Sequence, residues 1–287
     1  MTKENTGSKG GAAMFEEYYQ PIPDLNAYLE RIGIKKEEPT LDYLNKVILN
    51  HQLSIPFESI DSAILKVPVH IDPQSLYEKI IVNKRGGYCF EMNSIFYELL
   101  DGLGFNVYSC MGKVMGSKDV DAHVIGMHKG NIVTIDGKYY YCDVGFGDGM
   151  PPGAVLIGDD ERTVVCGEVF FIKKIKENWY VLQKEDENGS RQNIIKFSTF
   201  AQDKVDFIAP NFYGHMSPDC LFTYTLLVDK RLENGHVNIR NHTFTYKNGS
   251  EEFSETVTDR KRLQELLAEY FGINVELGEG EYRSGAE

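Results

Sequence analysis

The sequence predicts an α+β protein made of three consecutive regions. Over residues 14–105, apolar side chains recur at three- and four-residue spacing, which is typical of helices. Over residues 106–209, short runs of β-branched and aromatic residues between turn residues predict strands. Residues 210–287 combine both patterns. Residues 1–13 are small and polar without periodicity, so we expect a disordered leader there.

Four helices are predicted in the first region, and three of them have a residue suited to capping the N-terminus. Asp24, Thr40 and Asp72 each precede an apolar stripe, and their side chains can accept hydrogen bonds from the first free amides. The fourth helix is expected to begin near Cys89 and to stop at the glycines that follow residue 101.

The second region is expected to form a small sheet or barrel. Its predicted strands are residues 106–114, 131–144 folded about Asp136 and Gly137, 163–175, 179–183 and 192–197.

The third region is expected to open with a helical stretch that contains Pro210 and to close with a helix capped by Thr258. Residues after Gly278 are acidic and glycine-rich and are expected to fray. Strands are predicted between the two helices, near residues 222–228, 236–239 and 242–246.

Composition excludes several classes of partner and compartment. The 287 residues are 42% hydrophobic and carry a net charge of −13, so general binding to nucleic acid or to an anionic membrane is not expected. We find no secretory signal and no apolar run near the length of a membrane span. The sequence therefore predicts a soluble, cytoplasmic protein.

The cysteine pattern argues against a disulfide framework and against a zinc site. Five cysteines are spread over the chain without a C-x-x-C pair. We therefore expect a reducing compartment and no metal cofactor.

Cys89 is the strongest candidate nucleophile. It follows Gly86 and Gly87 and lies at the predicted start of a helix, where free amides and the helix dipole favour a thiolate. The glycines allow another backbone or a substrate to approach closely. The alternative is a structural cysteine buried between Tyr88 and Phe90, since free cysteines are usually buried.

A hairpin count supplies two partners for this thiol. With Asp136 and Gly137 as a two-residue turn, Gly130 falls opposite Asp143, and His128 shares the face of Asp143 as its diagonal neighbour. Diagonal neighbours lie roughly 7–8 Å apart between backbones, within reach of an imidazole–carboxylate hydrogen bond. Because a nucleophilic cysteine needs a base and an orienting group, the count predicts a Cys89, His128 and Asp143 triad.

His123 is the competing base. It is an odd number of residues from His128, so it would face the other side of a continuous strand, about 16 Å away along the chain. A β-bulge could reverse that parity. Taken singly, His128 could also be a solvated loop residue, and Asp143 a strand-end residue that binds local amides.

A glycine-rich loop follows Asp143. Residues 144–153, VGFGDGMPPG, contain Gly145 and Gly147, and such a loop can turn its amides towards a ligand. It matches neither the dinucleotide nor the Walker fingerprint, and a flexible connector is the plain alternative.

These motifs resemble those of the arylamine N-acetyltransferase family. RGGYCFEMN at residues 85–93 is similar to its Arg-Gly-Gly-x-Cys-x-Glu-x-Asn motif, and DVGFG at residues 143–147 to its Asp-Val-Gly-Phe-Gly segment. HKGNIVTIDG at residues 128–137 resembles its histidine stretch, which supports His128 independently of the parity argument. Two further matches lie at residues 55–59 and 213–222.

The resemblance covers about residues 20–273 and implies more than the residues alone predict. It implies an N-terminal helical bundle, a central β-barrel and a C-terminal α/β lid around a cysteine-proteinase-like catalytic core. The expected boundaries are residues 14–105, 106–209 and 210–287, with the site between the first two domains.

The implied reaction is ping-pong acetyl transfer. Cys89 would take acetyl from the co-substrate acetyl-CoA and pass it to the nitrogen of an arylamine or arylhydrazine. By resemblance, Phe57 and Phe222 line the acyl and aryl pocket, although both could be ordinary core aromatics. Tyr213 and the glycine loop would lie near CoA.

Three departures from the family pattern affect local geometry. Ser59 replaces the usual asparagine, Lys129 and Gly130 replace the apolar residues that commonly follow the histidine, and His123 competes with His128. Three other functions use similar residues: a cysteine hydrolase or transglutaminase-like enzyme, a macrolactam-forming amide synthase, and a non-catalytic binding module with the same fold.

Overall fold

The computed structural model describes residues 14–282, and the expected leader lies outside them. Its helices are α1 (Leu25–Arg31), α2 (Leu41–Ser54), α3 (Pro73–Leu76), α4 (Cys89–Leu103), α5 (Ile208–Met216) and α6 (Arg260–Leu266). Wider π-helical turns at Tyr77–Val82 and Leu267–Phe271 continue α3 and α6.

Helix starts follow the predicted caps with one exception. The side chains of Asp24, Thr40 and Asp72 accept amide hydrogen bonds at the starts of α1, α2 and α3, which confirms those three predictions. The prediction for α6 is wrong by one residue, because Asp259 rather than Thr258 accepts the hydrogen bond from the Arg262 amide.

The strands are β1 (Phe57–Glu58), β2 (Asn106–Val114), β3 (His128–Ile135), β4 (Lys138–Cys142), β5 (Val155–Leu156), β6 (Glu161–Val165), β7 (Glu168–Lys176), β8 (Trp179–Glu185), β9 (Arg191–Ser198), β10 (Leu227–Leu232), β11 (Gly235–Arg240), β12 (Thr243–Asn248) and β13 (Glu251–Thr256).

Eight of these strands form a nearly closed, barrel-like sheet. Their order is β5-β4-β3-β2-β9-β8-β7-β6, and the Leu156 amide of β5 donates to Thr163 Oγ1 of β6 at 3.3 Å across the remaining gap. The single strand predicted at 163–175 is wrong. Cys166 and Gly167 have positive φ angles of 50° and 81° and reverse the chain there, so the segment forms two paired strands.

The second sheet has the order β1-β10-β11-β12-β13. Its first strand comes from the helical region, where Phe57 of β1 pairs with Asp229 of β10. The strand predicted at 222–228 is wrong over most of its length. A 3₁₀ turn occupies Leu221–Thr223, because Thr223 Oγ1 donates to the Cys220 carbonyl at 2.8 Å and satisfies that group locally.

The α+β fold class is confirmed, and the packing of the helices positions the site. Apolar side chains of α1 to α4 share one core with Val133, Tyr140 and Cys142 of β3 and β4. The chain end is also packed: Tyr282 is buried and its amide donates to the Thr258 carbonyl, so fraying directly after Gly278 is wrong for the described residues.

All five cysteines are free. Between residues 14 and 282, the structure contains no helix that is both long and apolar enough to span a membrane.

Candidate active site

The start of α4 explains both glycines that precede Cys89. A Cβ on Gly86 would overlap the Pro56 carbonyl oxygen, and a Cβ on Gly87 would lie 2.7 Å from the Glu91 side chain. Only glycine therefore lets this segment pass between its neighbours. Tyr88 is the N-cap, and its amide donates to Glu91 Oε2 at 3.1 Å, so Cys89 occupies the first helical position as predicted.

Glu91 belongs to a buried ionic cluster beneath this helix start. Lys79 Nζ contacts Glu91 Oε1 and Asp61 Oδ2, each at 2.7 Å, and Arg85 binds Glu58 and Asp61. Burial raises the pKa of Glu91 to about 7, although Lys79 acts in the opposite direction. The cluster fixes the loop that presents Cys89 to the sheet.

His128 and Asp143 meet at the open end of the β3–β4 hairpin. Asn131 pairs with Cys142 and Ile135 with Lys138, which confirms the predicted register and puts both polar residues on one face. His128 Nε2 lies 2.5 Å from Asp143 Oδ2, and both side chains are almost completely buried.

The carboxylate decides the charge of this imidazole. Burial alone lowers the pKa of His128, but the charge of Asp143 and the hydrogen bonds with Asp143 and Cys89 raise it to about 10. A pKa of about 10 means that His128 carries a proton at neutral pH.

Cys89 completes the group. Its side chain interacts with His128 and raises the pKa of the imidazole, and Sγ lies 3.6 Å from the Met127 carbonyl oxygen. Cys89 is only 3% exposed, but it lines a cavity of about 720 Å³. It is thus buried, as the structural alternative required, and yet it faces a space large enough for a ligand.

His123 lies apart from this group. It is exposed in the irregular segment before β3, whereas His128 is the first residue of that strand. The structure brings Cys89, His128 and Asp143 together and leaves His123 in contact with solvent.

Asn93 is a site residue that the sequence reasoning did not single out. Its Nδ2 donates to Asp143 Oδ1 at 2.8 Å and to the Lys129 carbonyl at 2.6 Å, and its Oδ1 accepts from the Val144 amide at 3.0 Å. The spacing in the sequence indicates this role, because a residue four positions after Cys89 lies on the same helix face. Asn93 fixes α4 against the hairpin that carries both partners.

The candidate binding residues divide between two cavities. Phe57, Tyr213, Phe222 and Gly145 line the cavity of about 720 Å³ with Cys89. The rings of Phe57 and Phe222 lie 6.2 Å apart between centroids. The structure therefore places these two aromatics at the cavity wall.

Gly147 lines a neighbouring cavity of about 20 Å³ instead. Its φ of +91° is one that other residues rarely adopt, and a Cβ there would lie 3.1 Å from Asp229. The Gly145 amide does not serve a ligand, because it donates to Asp143 Oδ1 at 2.9 Å. A Cβ on Gly145 would come within 2.9 Å of the Cys89 Cα, so the loop lies directly on the helix start.

Two departures from the family pattern have clear partners. Ser59 Oγ accepts from the Leu227 amide at 3.0 Å and donates to the Thr225 carbonyl, which ties the end of β1 to the start of β10. Lys129 Nζ donates to Ser94 Oγ at 2.9 Å and lies 4.6 Å from the Phe207 ring centroid. Burial lowers the pKa of Lys129 to about 7 despite the opposing charge of Glu98.

In the part of the chain that the structure describes, no group of three or more His, Cys, Asp or Glu side chains is arranged to hold a metal ion.

Comparison with known proteins places this geometry in context. A family model described as N-acetyltransferase matches residues 40–279. The arylamine N-acetyltransferase of Escherichia coli K12 is 30% identical over 258 residues, which cover 88% of this chain and 90% of the relative. Human arylamine N-acetyltransferase 1 is 25% identical, over 88% of this chain and 95% of the relative.

Solved structures with the same fold include those of two arylamine N-acetyltransferases. The arylamine N-acetyltransferase of Salmonella typhimurium superposes with a TM-score of 0.82 at 27% identity, covering 90% of this chain and 93% of that one. The Mycobacterium marinum enzyme in complex with CoA has a TM-score of 0.81 at 27% identity, covering 89% and 95%.

Proposed function

Because this chain belongs to the arylamine N-acetyltransferase family, we propose that it carries acetyl from acetyl-CoA as a thioester on Cys89 and transfers it to the nitrogen of an arylamine or arylhydrazine. The chain is an acyltransferase of that family. The observation that carries the detailed mechanism is that Cys89 and His128 line one cavity while Asp143 binds the His128 ring.

The resting site is a thiolate–imidazolium pair. The raised pKa of His128 keeps a proton on the imidazole beside Cys89, and Asp143 balances that charge from the far side of the ring. A thiolate is the nucleophilic form of cysteine, so the pair is ready to react at neutral pH.

In the first half-reaction, the Cys89 thiolate attacks the acetyl carbonyl of acetyl-CoA. A new C–S bond forms to Cys89 and the C–S bond to CoA breaks, and the departing CoA sulfur takes the proton from His128. The amides of Cys89 and Phe90 lie in the first turn of α4 and are the candidate donors to the oxyanion. One such donor is worth about 2.7–4 kcal/mol in acyl transfer.

In the second half-reaction, the amine nitrogen attacks the thioester carbonyl. Neutral His128 accepts the proton of the attacking amine, the N–C bond forms, and Cys89 leaves again as the thiolate. The cavity supports this step, because Phe57 and Phe222 offer aromatic faces against which an aryl ring can pack. Tyr213 and the glycine loop at Gly145 and Gly147 are proposed to lie near CoA.

We also propose that residues 14–105, 106–209 and 210–287 act as three functional units. The first supplies the nucleophile, the second supplies His128 and Asp143, and the third covers the cavity. Part of the third unit, including Tyr213 and Phe222, lines the cavity with Cys89, which supports this division.

The decisive experiment is intact-protein mass spectrometry after mixing with acetyl-CoA. We expect one acetyl group on Cys89, which an aniline or a phenylhydrazine removes within seconds and which water alone removes much more slowly. Cys89→Ala should take up none, whereas Cys166→Ala, which removes an exposed thiol, should behave as the wild type. Discharge by water as fast as by amine would indicate a hydrolase and contradict transfer.

A further inference from the structure

The strongest unassigned feature of the site is the second donor on the Asp143 oxygen that binds His128. We propose that Tyr141 is a positioning residue for the reaction and that Gly130 is its partner, because Gly130 leaves the space through which the Tyr141 hydroxyl reaches Asp143. This inference rests on the proposed function of the Cys89, His128 and Asp143 group.

The carboxylate of Asp143 is held by four donors. Tyr141 donates its hydroxyl to Oδ2 at 2.8 Å, and the same oxygen lies 2.5 Å from His128 Nε2. The other oxygen, Oδ1, accepts from Asn93 Nδ2 at 2.8 Å and from the Gly145 amide at 2.9 Å. Since all five groups are buried, the loss of one donor cannot be replaced by bulk water.

Gly130 is required by the tyrosine ring and not by its own backbone. A Cβ at Gly130 would lie 2.5 Å from the Tyr141 hydroxyl oxygen and 2.7 Å from a ring carbon. The φ angle of Gly130 is outside the left-handed region, so alanine fits the backbone there. The Tyr141 ring also packs against the Phe197 ring at 4.4 Å between centroids, which limits its movement away from Gly130.

This arrangement explains one departure that the sequence alone left without a purpose. In the arylamine N-acetyltransferase family, the residue two positions after the histidine is commonly apolar. In this chain it is Gly130. The missing side chain is replaced by the Tyr141 ring, which brings a hydroxyl group to the centre of the triad. Gly130 lies on β3 and Tyr141 on β4, and these strands pair with Asn131 opposite Cys142. The glycine and the tyrosine are therefore neighbours across the hairpin.

The hydroxyl has two consequences for His128. It holds the Asp143 oxygen that faces the imidazolium by a hydrogen bond, in a buried site where bulk water cannot take its place. It also fixes the carboxylate rotamer, so that Oδ2 points at Nε2. Removal of the hydroxyl should therefore make the thiolate–imidazolium pair collapse at a higher pH.

The test is the pH profile of Cys89 alkylation by iodoacetamide, followed on the Cys89 peptide by mass spectrometry. Tyr141→Phe keeps the ring and removes only the hydroxyl; we expect the acid-side midpoint to rise by about one pH unit. We also expect kcat at pH 6 to fall about tenfold while KM for acetyl-CoA stays unchanged. Tyr139→Phe is the matched control, since Tyr139 is an exposed tyrosine on the same strand and should change neither quantity.

Gly130→Ala tests the pairing and keeps the tyrosine hydroxyl in the protein. We expect it to shift the midpoint in the same direction as Tyr141→Phe, because the new methyl group displaces the hydroxyl. The double variant should then show about the same shift as Gly130→Ala alone, since the interaction is already lost.

Two results would overturn the proposal. One is an unchanged midpoint in Tyr141→Phe with only a lower melting temperature, which would make the hydroxyl merely structural. The other is full additivity of the two shifts in the double variant. Alkylation needs no acetyl-CoA, so a shifted midpoint in a protein that never forms an acetyl adduct would support this inference while contradicting the proposed function.

Discussion

Two histidines in this chain are almost equally buried, but at neutral pH one is uncharged and the other carries a proton. His51 in α2 is 0% exposed and lies in the helical core, and His128 in β3 is 1% exposed and lies at the site. The pKa of His51 is lowered to about 3, and that of His128 is raised to about 10.

The difference comes from their neighbours. Both ring nitrogens of His51 lack a hydrogen-bond partner among the described residues, and the ring packs against Tyr28 and Phe96. Burial and then the charge of Arg31 keep it neutral. At His128 the same burial is outweighed by a carboxylate in contact with the ring. A buried imidazole is therefore a packing group or a proton carrier according to whether an anion is buried with it.

Exchange of each histidine should affect different properties. We expect His128→Ala to lower kcat/KM for acetyl transfer by about 10⁴-fold or more, because the triad loses its base. His51→Leu should leave kcat/KM within a few-fold of the wild type. Steady-state kinetics at pH 7 measures both, with His123→Ala as the control for an exposed histidine. Full activity of His128→Ala would sink the assignment and promote His123.

Asp143→Asn should bring the pKa of His128 closer to that of His51. Without the anion, the lowering effect of burial is opposed only by Cys89, so we expect the pKa of His128 to fall well below 10. NMR of histidine-labelled protein over pH 4–10 measures that shift directly. Acetyl transfer should fall by about 10³- to 10⁴-fold with it. A His128 that still titrates near pH 10 would show that another group carries the effect.

Lys129 extends the comparison to a buried cation next to the base. Burial lowers its pKa from 10.5 to about 7, so between these values the unfolded chain holds a proton that the folded chain lacks. The free-energy cost of burying the charged Lys129 side chain is therefore largest below pH 7 and decreases as the pH rises towards 10.5.

We therefore expect Lys129→Met to raise the free energy of unfolding by about 1–4 kcal/mol at pH 6 and by less at pH 10. Urea unfolding at the two pH values measures it. The alternative outcome, a variant less stable than the wild type at pH 6, would mean that the contacts with Ser94 and Phe207 outweigh the burial of the charge.

His51→Leu should produce the smallest effect, and only in acid. The folded pKa of about 3 lies below the ordinary 6.5, so the wild type is at full stability above pH 6.5 and loses stability as the pH falls towards 3. Leucine does not bind a proton, so this part of the pH dependence of stability is absent from the variant. We expect the loss of stability between pH 6.5 and 4 to be smaller in His51→Leu by about 1–3 kcal/mol. Identical pH dependence in thermal unfolding would contradict a neutral, buried His51.

Sequence reasoning succeeded where the determinants lie close together in the chain. A capping side chain, an apolar stripe and a two-residue turn each act over a few residues. They were enough to start α4 at Cys89, and to put His128 and Asp143 on one face of the hairpin. The same locality explains the error at residues 163–175, where a continuous β-type pattern hid the turn at Cys166 and Gly167.

Tertiary structure alone decided which of these features meet. Cys89 and His128 are brought together because α4 packs on the hairpin and Asn93 ties it there, and the cavity forms only when the second sheet closes over them. The sequence determined the residues that can react and the local faces that carry them. Their charge states, and the difference in pKa between His51 and His128, depend on desolvation and on charges that only packing brings within a few ångströms.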